Sequence, residues 1–259
     1  MIERHKSLNK MKTFRDIGFA LFAVLCCVNI TSCSEDEPGG SGTTSAKKLV
    51  AATLYNGSLV IVYSYDKQGR LITSESEERA YYYTWPDGAF TIQRSGVEKR
   101  ILPINNGLLE RLYDDEMRYD LTYNAAKKLS VVRDTYLNRK MSCFWDGDKL
   151  KQIDINYMNH DYDGKSVEFT YSGKICKGYS PMHVFLSEDY LFDFDFLMAH
   201  PEMVGLKTNQ LVSMIKDDDS TREFYYTFTE DGYLESCTEH YTTPGGYEGR
   251  MRVHKFTWK

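Results

Sequence analysis

The chain has 259 residues, a formal net charge of −5 and 14% aromatic residues, 20 of them tyrosine. This is length enough to bury a core, and the aromatic content excludes an intrinsically disordered polymer. The acidic balance argues against nucleic acid as a partner.

Arg4, Lys6, Lys10, Lys12 and Arg15 form a basic start, and Ile17 to Ile30 is an uncharged, largely apolar run. That run is short for a bilayer span and suits the apolar stretch of a signal peptide. It ends in Ile30-Thr31-Ser32-Cys33, which resembles the lipobox of bacterial lipoproteins. Cys26 and Cys27 suit a lipobox less well, because Leu25 or Cys26 would stand where a small residue is needed. The resemblance implies cleavage after residue 32, acylation of Cys33 and attachment to a membrane through the N-terminal lipid. Met11 is an alternative start that keeps Lys12 and Arg15 as the basic end. A single membrane helix with a cytoplasmic tail is the competing reading of the segment. Cleavage leaves about 227 residues with a net charge of about −8.

Segment 33–48 is a tether, with Ser34, Glu35, Asp36 and Glu37 followed by a Gly/Ser/Thr-rich stretch. The acidic run resembles the signal that sends lipoproteins of Bacteroidetes-type bacteria to the outer face of the outer membrane. The expected location is therefore the cell outer membrane, facing the exterior.

Residues 49–259 read as one all-β domain. Val167, Phe169 and Tyr171 alternate with Ser166, Glu168 and Thr170, and Ile153, Ile155 and Tyr157 with Gln152, Asp154 and Asn156. A period of two with one apolar face is the pattern of half-buried antiparallel strand. A turn unit recurs, fullest in Tyr63-Ser-Tyr65-Asp66-Lys-Gln-Gly69-Arg70-Leu71. Relatives lie at 121–129, 144–150, 169–175 and 226–234. An aromatic residue closes one strand, a side-chain oxygen opens the turn, glycine takes positive φ, and Leu or Ile re-enters the sheet. Lys127 stands where glycine is expected, so that turn must differ or hold a strained residue. The turn spacing predicts an antiparallel meander of about 16 strands in a strongly curved or barrel-like sheet.

One stretch breaks the period. Ser187 reads as a helix N-cap, Leu191, Phe194 and Leu197/Met198 follow at helical spacing, Pro201 suits a second first turn, and Gly205 a stop. A short helical insertion over about 187–204 is expected to plug or cap the sheet.

Tyr65-Asp66-Lys67-Gln68-Gly69-Arg70-Leu71 resembles the YD-repeat signature of secreted shell proteins. The lipobox, acidic run, Tyr-rich meander and the segment 196–211 together are similar to Bacteroidetes lipoproteins whose domain is described as porin-like. The family often carries Asn-Pro-Glu-Leu in that segment and a Leu-Pro-Ser-like strand start. Here His200 replaces the Asn, and Leu211-Val212-Ser213 lacks the Pro. The resemblance implies a curved or nearly closed sheet and no known activity. Charged residues on one face of many strands favour a tethered soluble domain over a lipid-facing pore.

Chemistry-bearing motifs are few. Asn159, Asp161 and Asp163 fit the opening of a calcium loop, but Thr170 stands where the closing Glu belongs, so no metal site is assigned. Asp219-Ser220-Thr221 resembles an O-glycosylation acceptor. Ser213 and Lys216 read S-x-x-K on a strand, where their side chains point apart. Cys143, Cys176 and Cys237 can form at most one disulfide and read as buried thiols. No nucleotide, zinc or nucleophile-elbow motif occurs, so no cofactor and no catalytic residue is assigned. The expected role is a non-catalytic binding module for glycan or an envelope protein, with Trp85, Trp145 and the tyrosines as possible platforms. A surface polysaccharide hydrolase or a structural envelope protein is the alternative.

Overall fold

A computed structural model describes residues 46–114, 117–158, 164–187, 191, 194–243 and 248–259. Residues Ala46–Lys259 form one compact unit. In chain order the strands are β1 (Leu49–Leu54), β2 (Leu59–Tyr65), β3 (Leu71–Glu75), β4 (Ala80–Thr84), β5 (Ala89–Arg94), β6 (Arg100–Asn105), β7 (Leu108–Leu109), β8 (Arg111–Asp114) and β9 (Met117–Tyr123). There follow β10 (Leu129–Asp134), β11 (Arg139–Asp146), β12 (Lys149–Tyr157), β13 (Lys165–Ile175), β14 (Gln210–Lys216), β15 (Thr221–Phe228), β16 (Leu234–Thr242) and β17 (Glu248–Trp258). The meander expected from the turn spacing is present, with 17 strands.

Registered neighbours are antiparallel and follow chain order, and β1 pairs both β2 and β17. That last pairing bends the meander into a nearly closed barrel. Lys48 and Lys259 exchange backbone hydrogen bonds of 2.6 and 3.0 Å where the two terminal strands meet. β7 pairs β6, β8 pairs β9, and Glu110 lies between them. Glu110 accepts the Leu121 N–H at 2.9 Å, so the two short strands act as one broken strand.

Cross-strand rows separate the two faces. Cys143, Ile153 and Val167 are register partners on three neighbouring strands and are all buried. Beside them Ser142, Asp154 and Ser166 form an outward row, and Gln152 and Ser166 both hydrogen-bond Asp154. Arg133, Lys140 and Asn156 form another outward row. Membrane barrels place apolar residues on this face; here it is polar, with large exposed apolar residues such as Ile101, Phe144 and Tyr225 distributed over separate strands.

The interior is filled by the chain between β13 and β14. It holds a helix at Met182–Ser187, a helical turn at Phe196–Ala199 and a 3-10 turn at Pro201–Val204. The insertion therefore begins at Met182, before the expected N-cap at Ser187, which is instead the last residue of the first helix. Pro181 accounts for the earlier start: it directly precedes Met182, and its carbonyl accepts the Val184 N–H at 3.0 Å. Pro201 opens the 3-10 turn and Gly205 closes it at φ 65°, as the residue types predict. Phe185 packs on Phe224, Phe194 on Tyr119, and Phe196 on both Tyr83 and Phe90. These partners come from four separate strands, so the segment is a plug through the barrel core.

Candidate functional site

Successive antiparallel strands reverse direction, so the turns after β2, β4, β6, β9, β11 and β15 share one rim. The plug leaves β13 and rejoins β14 at this rim, and Lys48 and Lys259 lie there too. It is called the near rim below, and its opposite the far rim.

A repeated device builds the near rim. Tyr65 donates its hydroxyl to the Leu49 carbonyl, Trp85 its indole N–H to Leu71, Trp145 to Leu129, and Trp258 to Leu234, at 2.6–2.8 Å. Tyr123, Tyr171 and Tyr226 do the same to Leu109, Leu150 and Val212. The cause is local. Ladder registers shift beside Leu49 and Leu129, and the aromatic donor satisfies a carbonyl at the irregularity. The recurring sequence unit is thus one link of a chain, in which each aromatic reaches back to one of the first three residues of the preceding strand, the broken strand β7–β8 counted as one. The indole N–H groups of Trp85 and Trp145 serve this bonding, and both rings pack against the core.

The turns themselves repeat atom for atom. Gly69, Lys127 and Gly232 donate N–H to the carbonyls of Asp66, Asn124 and Thr229 at 2.9 Å. Arg70, Lys128 and Tyr233 donate N–H to the side-chain oxygens of the same three residues. Lys127 adopts φ 59°, the strained alternative that its replacement of glycine implied.

Toward the far rim the interior is ionic. Arg222, Glu239 and His254 come from β15, β16 and β17 and are 2%, 3% and 0% exposed. Arg222 lies 3.6 Å from Glu239 and donates to the Phe185 carbonyl at 3.0 Å, while His254 lies 3.5 Å from Glu239. Burial by itself raises the Glu239 carboxyl, but His254, Arg222 and Arg252 outweigh it and hold the group below its ordinary 4.5. Arg139 reaches the Leu191 carbonyl at 3.3 Å, and Arg79 and Tyr63 reach Asp195. Arg139 and Tyr63 thereby satisfy carbonyls of irregular plug backbone that has no ladder of its own, and Arg79 pairs the Asp195 carboxylate. A cavity of about 30 Å³ beside His183, Asp195 and Tyr55 is the size of one water molecule.

Among the described residues, a space large enough for a ligand lies outside. A groove of about 500 Å³ runs from the β6–β7 turn to the β9–β10 turn at the near rim. Asn105, Asn106, Glu110, Arg111, Asp120 and Lys127 supply its polar wall, and Leu108, Leu121 and Tyr123 its apolar part. Asn105 donates to Glu110 at 3.0 Å, and Lys127 to the Asn106 carbonyl at 3.1 Å. Arg111 and Arg118 both donate to Asp120 Oδ1. The two carboxylates and two cations lining the groove give it balanced charge. It can donate and accept hydrogen bonds without attracting a net ion. Asp120 thus accepts from two guanidinium groups. Asp66, Glu202, Asp231 and Glu239 titrate below their ordinary values.

Cys33, Ser34, Glu35, Asp36 and Glu37 lie outside the described residues, as do the calcium-loop positions Asn159, Asp161 and Asp163. Among the described residues no group of three His, Cys, Asp or Glu side chains could hold a metal. Ser220 is buried with its hydroxyl on Asp217 at 3.0 Å, which does not suit a glycosylation acceptor in the folded chain. The groove was not legible in the sequence beyond its turn residues, because two turns about twenty positions apart combine to make it.

Cys143, Cys176 and Cys237 are free and buried. Burial pushes the thiols of Cys143 and Cys176 up to about 12 and about 11. A thiol-specific disulfide reagent at pH 8 is expected to modify none of the three in native protein and all three after denaturation. Rapid native labelling at any of them, mapped by mass spectrometry, would contradict this packing.

Neither a family model nor a curated protein matches the sequence. Solved structures do. A porin-like protein from Bacteroides uniformis superposes with a TM-score of 0.66 at 16% identity, covering 84% of this chain and 99% of its own. A porin-like protein from Bacteroides vulgatus gives 0.54 at 12% identity, covering 82% and 99%. At these identities the likeness is one of fold. The chain has a porin-like barrel whose lumen is occupied by its own plug.

Proposed function

We propose that this protein is an outer-membrane lipoprotein, acylated at Cys33 and directed outward by Ser34 to Glu37, whose barrel is a non-catalytic binding module. The groove between Asn105 and Lys127 takes a neutral saccharide. The observation that carries this reading is the groove's balanced charge beside amide side chains and an apolar strip. That combination suits hydroxyl groups, which donate and accept but carry no charge. The described part of the plug fills the interior, which favours the outer wall as the binding surface. The porin-like proteins of Bacteroides that share the fold accord with a place in the envelope.

Isothermal titration of the purified full chain against a panel of neutral and acidic polysaccharides tests the binding. Heat is expected with one or more neutral glycans. Asn106→Ala with Glu110→Ala is expected to weaken the interaction by about tenfold or more, as two lost hydrogen bonds would. No heat across the panel removes the glycan reading. Mass spectrometry of native protein that finds residues 1–32 attached and a free thiol at Cys33 removes the anchor.

A further inference from the structure

We propose that the outer wall of the barrel carries a site for monovalent copper, formed by Glu223, His240 and Met251 on β15, β16 and β17. The site is separate from the groove and needs neither the anchor nor the glycan. Glu223 is the register partner of His240, and His240 of Met251. Side chains opposed in this way on one face have Cβ atoms about 5 Å apart. An imidazole thus stands between a carboxylate and a thioether in one outward row. All three residues are exposed, Met251 by 56%. His, Cys, Asp and Glu alone make no metal site among the described residues. Here the third ligand is a methionine sulfur.

Contacts on both sides orient the row. Tyr225, also outward on β15, donates its hydroxyl to Glu223 Oε2 at 3.0 Å, and its ring lies 5.1 Å from the His240 ring. One tyrosine thereby positions both the carboxylate and the imidazole, as the outer partners of metal ligands do. On the other side, β1 registers with β17 only from Lys255 to Trp258, so Met251 and Val253 lie beyond that ladder. Asn56 takes its place: its Nδ2 donates to the Met251 carbonyl at 3.1 Å, and its Oδ1 accepts the Val253 N–H at 2.7 Å. Tyr55 and Asn56 reach this position with φ 52° and 60°, left-handed backbone that costs energy at both residues. The donor set selects the ion. Zinc, calcium and magnesium take thiolate, imidazole or oxygen ligands, whereas thioether sulfur favours Cu(I), and imidazole suits copper as well. The Glu223 carboxylate offsets the charge of the ion.

The test titrates the full chain with Cu(I) under reducing, oxygen-free conditions, in competition with a chromogenic Cu(I) chelator. Accessible thiols are alkylated first, so that no thiolate competes. One equivalent is expected to bind, and excess zinc is expected not to displace it. His240→Gln and Met251→Leu are each expected to weaken binding about tenfold or more. Met158→Leu is the control, since Met158 is a 65% exposed thioether just after β12 and off the row. It is expected to leave the affinity unchanged. All three side chains face solvent, so thermal unfolding of the variants without metal is expected to match the parent. X-ray absorption of the bound copper is expected to show a sulfur ligand that Met251→Leu removes. No binding overturns the site, as does an affinity unchanged in His240→Gln or Met251→Leu. Loss in Met158→Leu instead places the copper elsewhere and overturns it too. Equal affinity for zinc overturns it in favour of an imidazole–carboxylate contact in which the thioether takes no part.

Discussion

Gly205→Ala is expected to destabilise the barrel by more than about 3 kcal/mol, lowering Tm by roughly 10 °C. A Cβ at this position would lie 2.5 Å from the Lys127 carbonyl oxygen and 2.7 Å from the Leu129 amide nitrogen, both backbone atoms. Gly205 also holds φ 65°, a left-handed conformation in which any side chain is strained. The clash separates the end of the plug from the β9–β10 hairpin, to which Gly205 bonds through Leu129. Gly147→Ala is the control. Gly147 has φ 56° but open space around it, so only the backbone penalty of about 1 kcal/mol applies. Thermal unfolding of the two variants side by side separates close packing from backbone strain. Equal losses would show that the plug does not press on the hairpin as described.

Arg222→Ala is expected to cost about 3 kcal/mol, because it removes one of the cations that compensate the buried Glu239 carboxylate beside His254 and Arg252 and leaves the Phe185 carbonyl without this donor. Replacing both members, Arg222→Met with Glu239→Leu, is expected to recover much of that loss, since two apolar side chains need no compensation. Urea unfolding of the single and double variants measures the coupling, and additive losses would contradict a shared buried pair. The pair also sets an acid limit. Glu239 titrates below its ordinary 4.5 in the folded barrel, so its ionised form stabilises the fold above that value. This contribution disappears as the pH falls through the lowered value. Glu202 adds to the same limb: burial raises its carboxyl, but His200 and Lys207 outweigh burial and leave it lowered. Glu239→Gln is expected to lower Tm near neutrality and to flatten its decline below about pH 4.5. An unchanged acid slope in that variant would place the acid limit elsewhere.

Particular residues show what could be read in advance. Alternation gave the inward faces, as at Cys143, Ile153 and Val167, because a period of two follows from strand geometry whatever the partner. Turn chemistry locates the hairpins at Asp66, Asn124 and Thr229, and the missing glycine at Lys127 announces either a different turn or a strained residue, of which the structure shows the second. Pro201 and Gly205 bounded the 3-10 turn correctly. The first helix was placed too late, since Ser187 resembles a cap equally well when it is the last helical residue. The aromatic residues that close strands were visible, yet their bonds to carbonyls some 14–24 residues earlier were not.

What the chain by itself determined is therefore local: which residues face in, where strands reverse, and where the sheet is interrupted by a plug. Only the folded structure decided that β17 closes on β1, that Arg222, Glu239 and His254 meet in the core, and that Asn105 and Lys127 share a groove. Side-chain period and turn type are set by neighbours in sequence. Closure, buried charge pairing and grooves are set by register and by curvature accumulated over many strands, which no single segment contains.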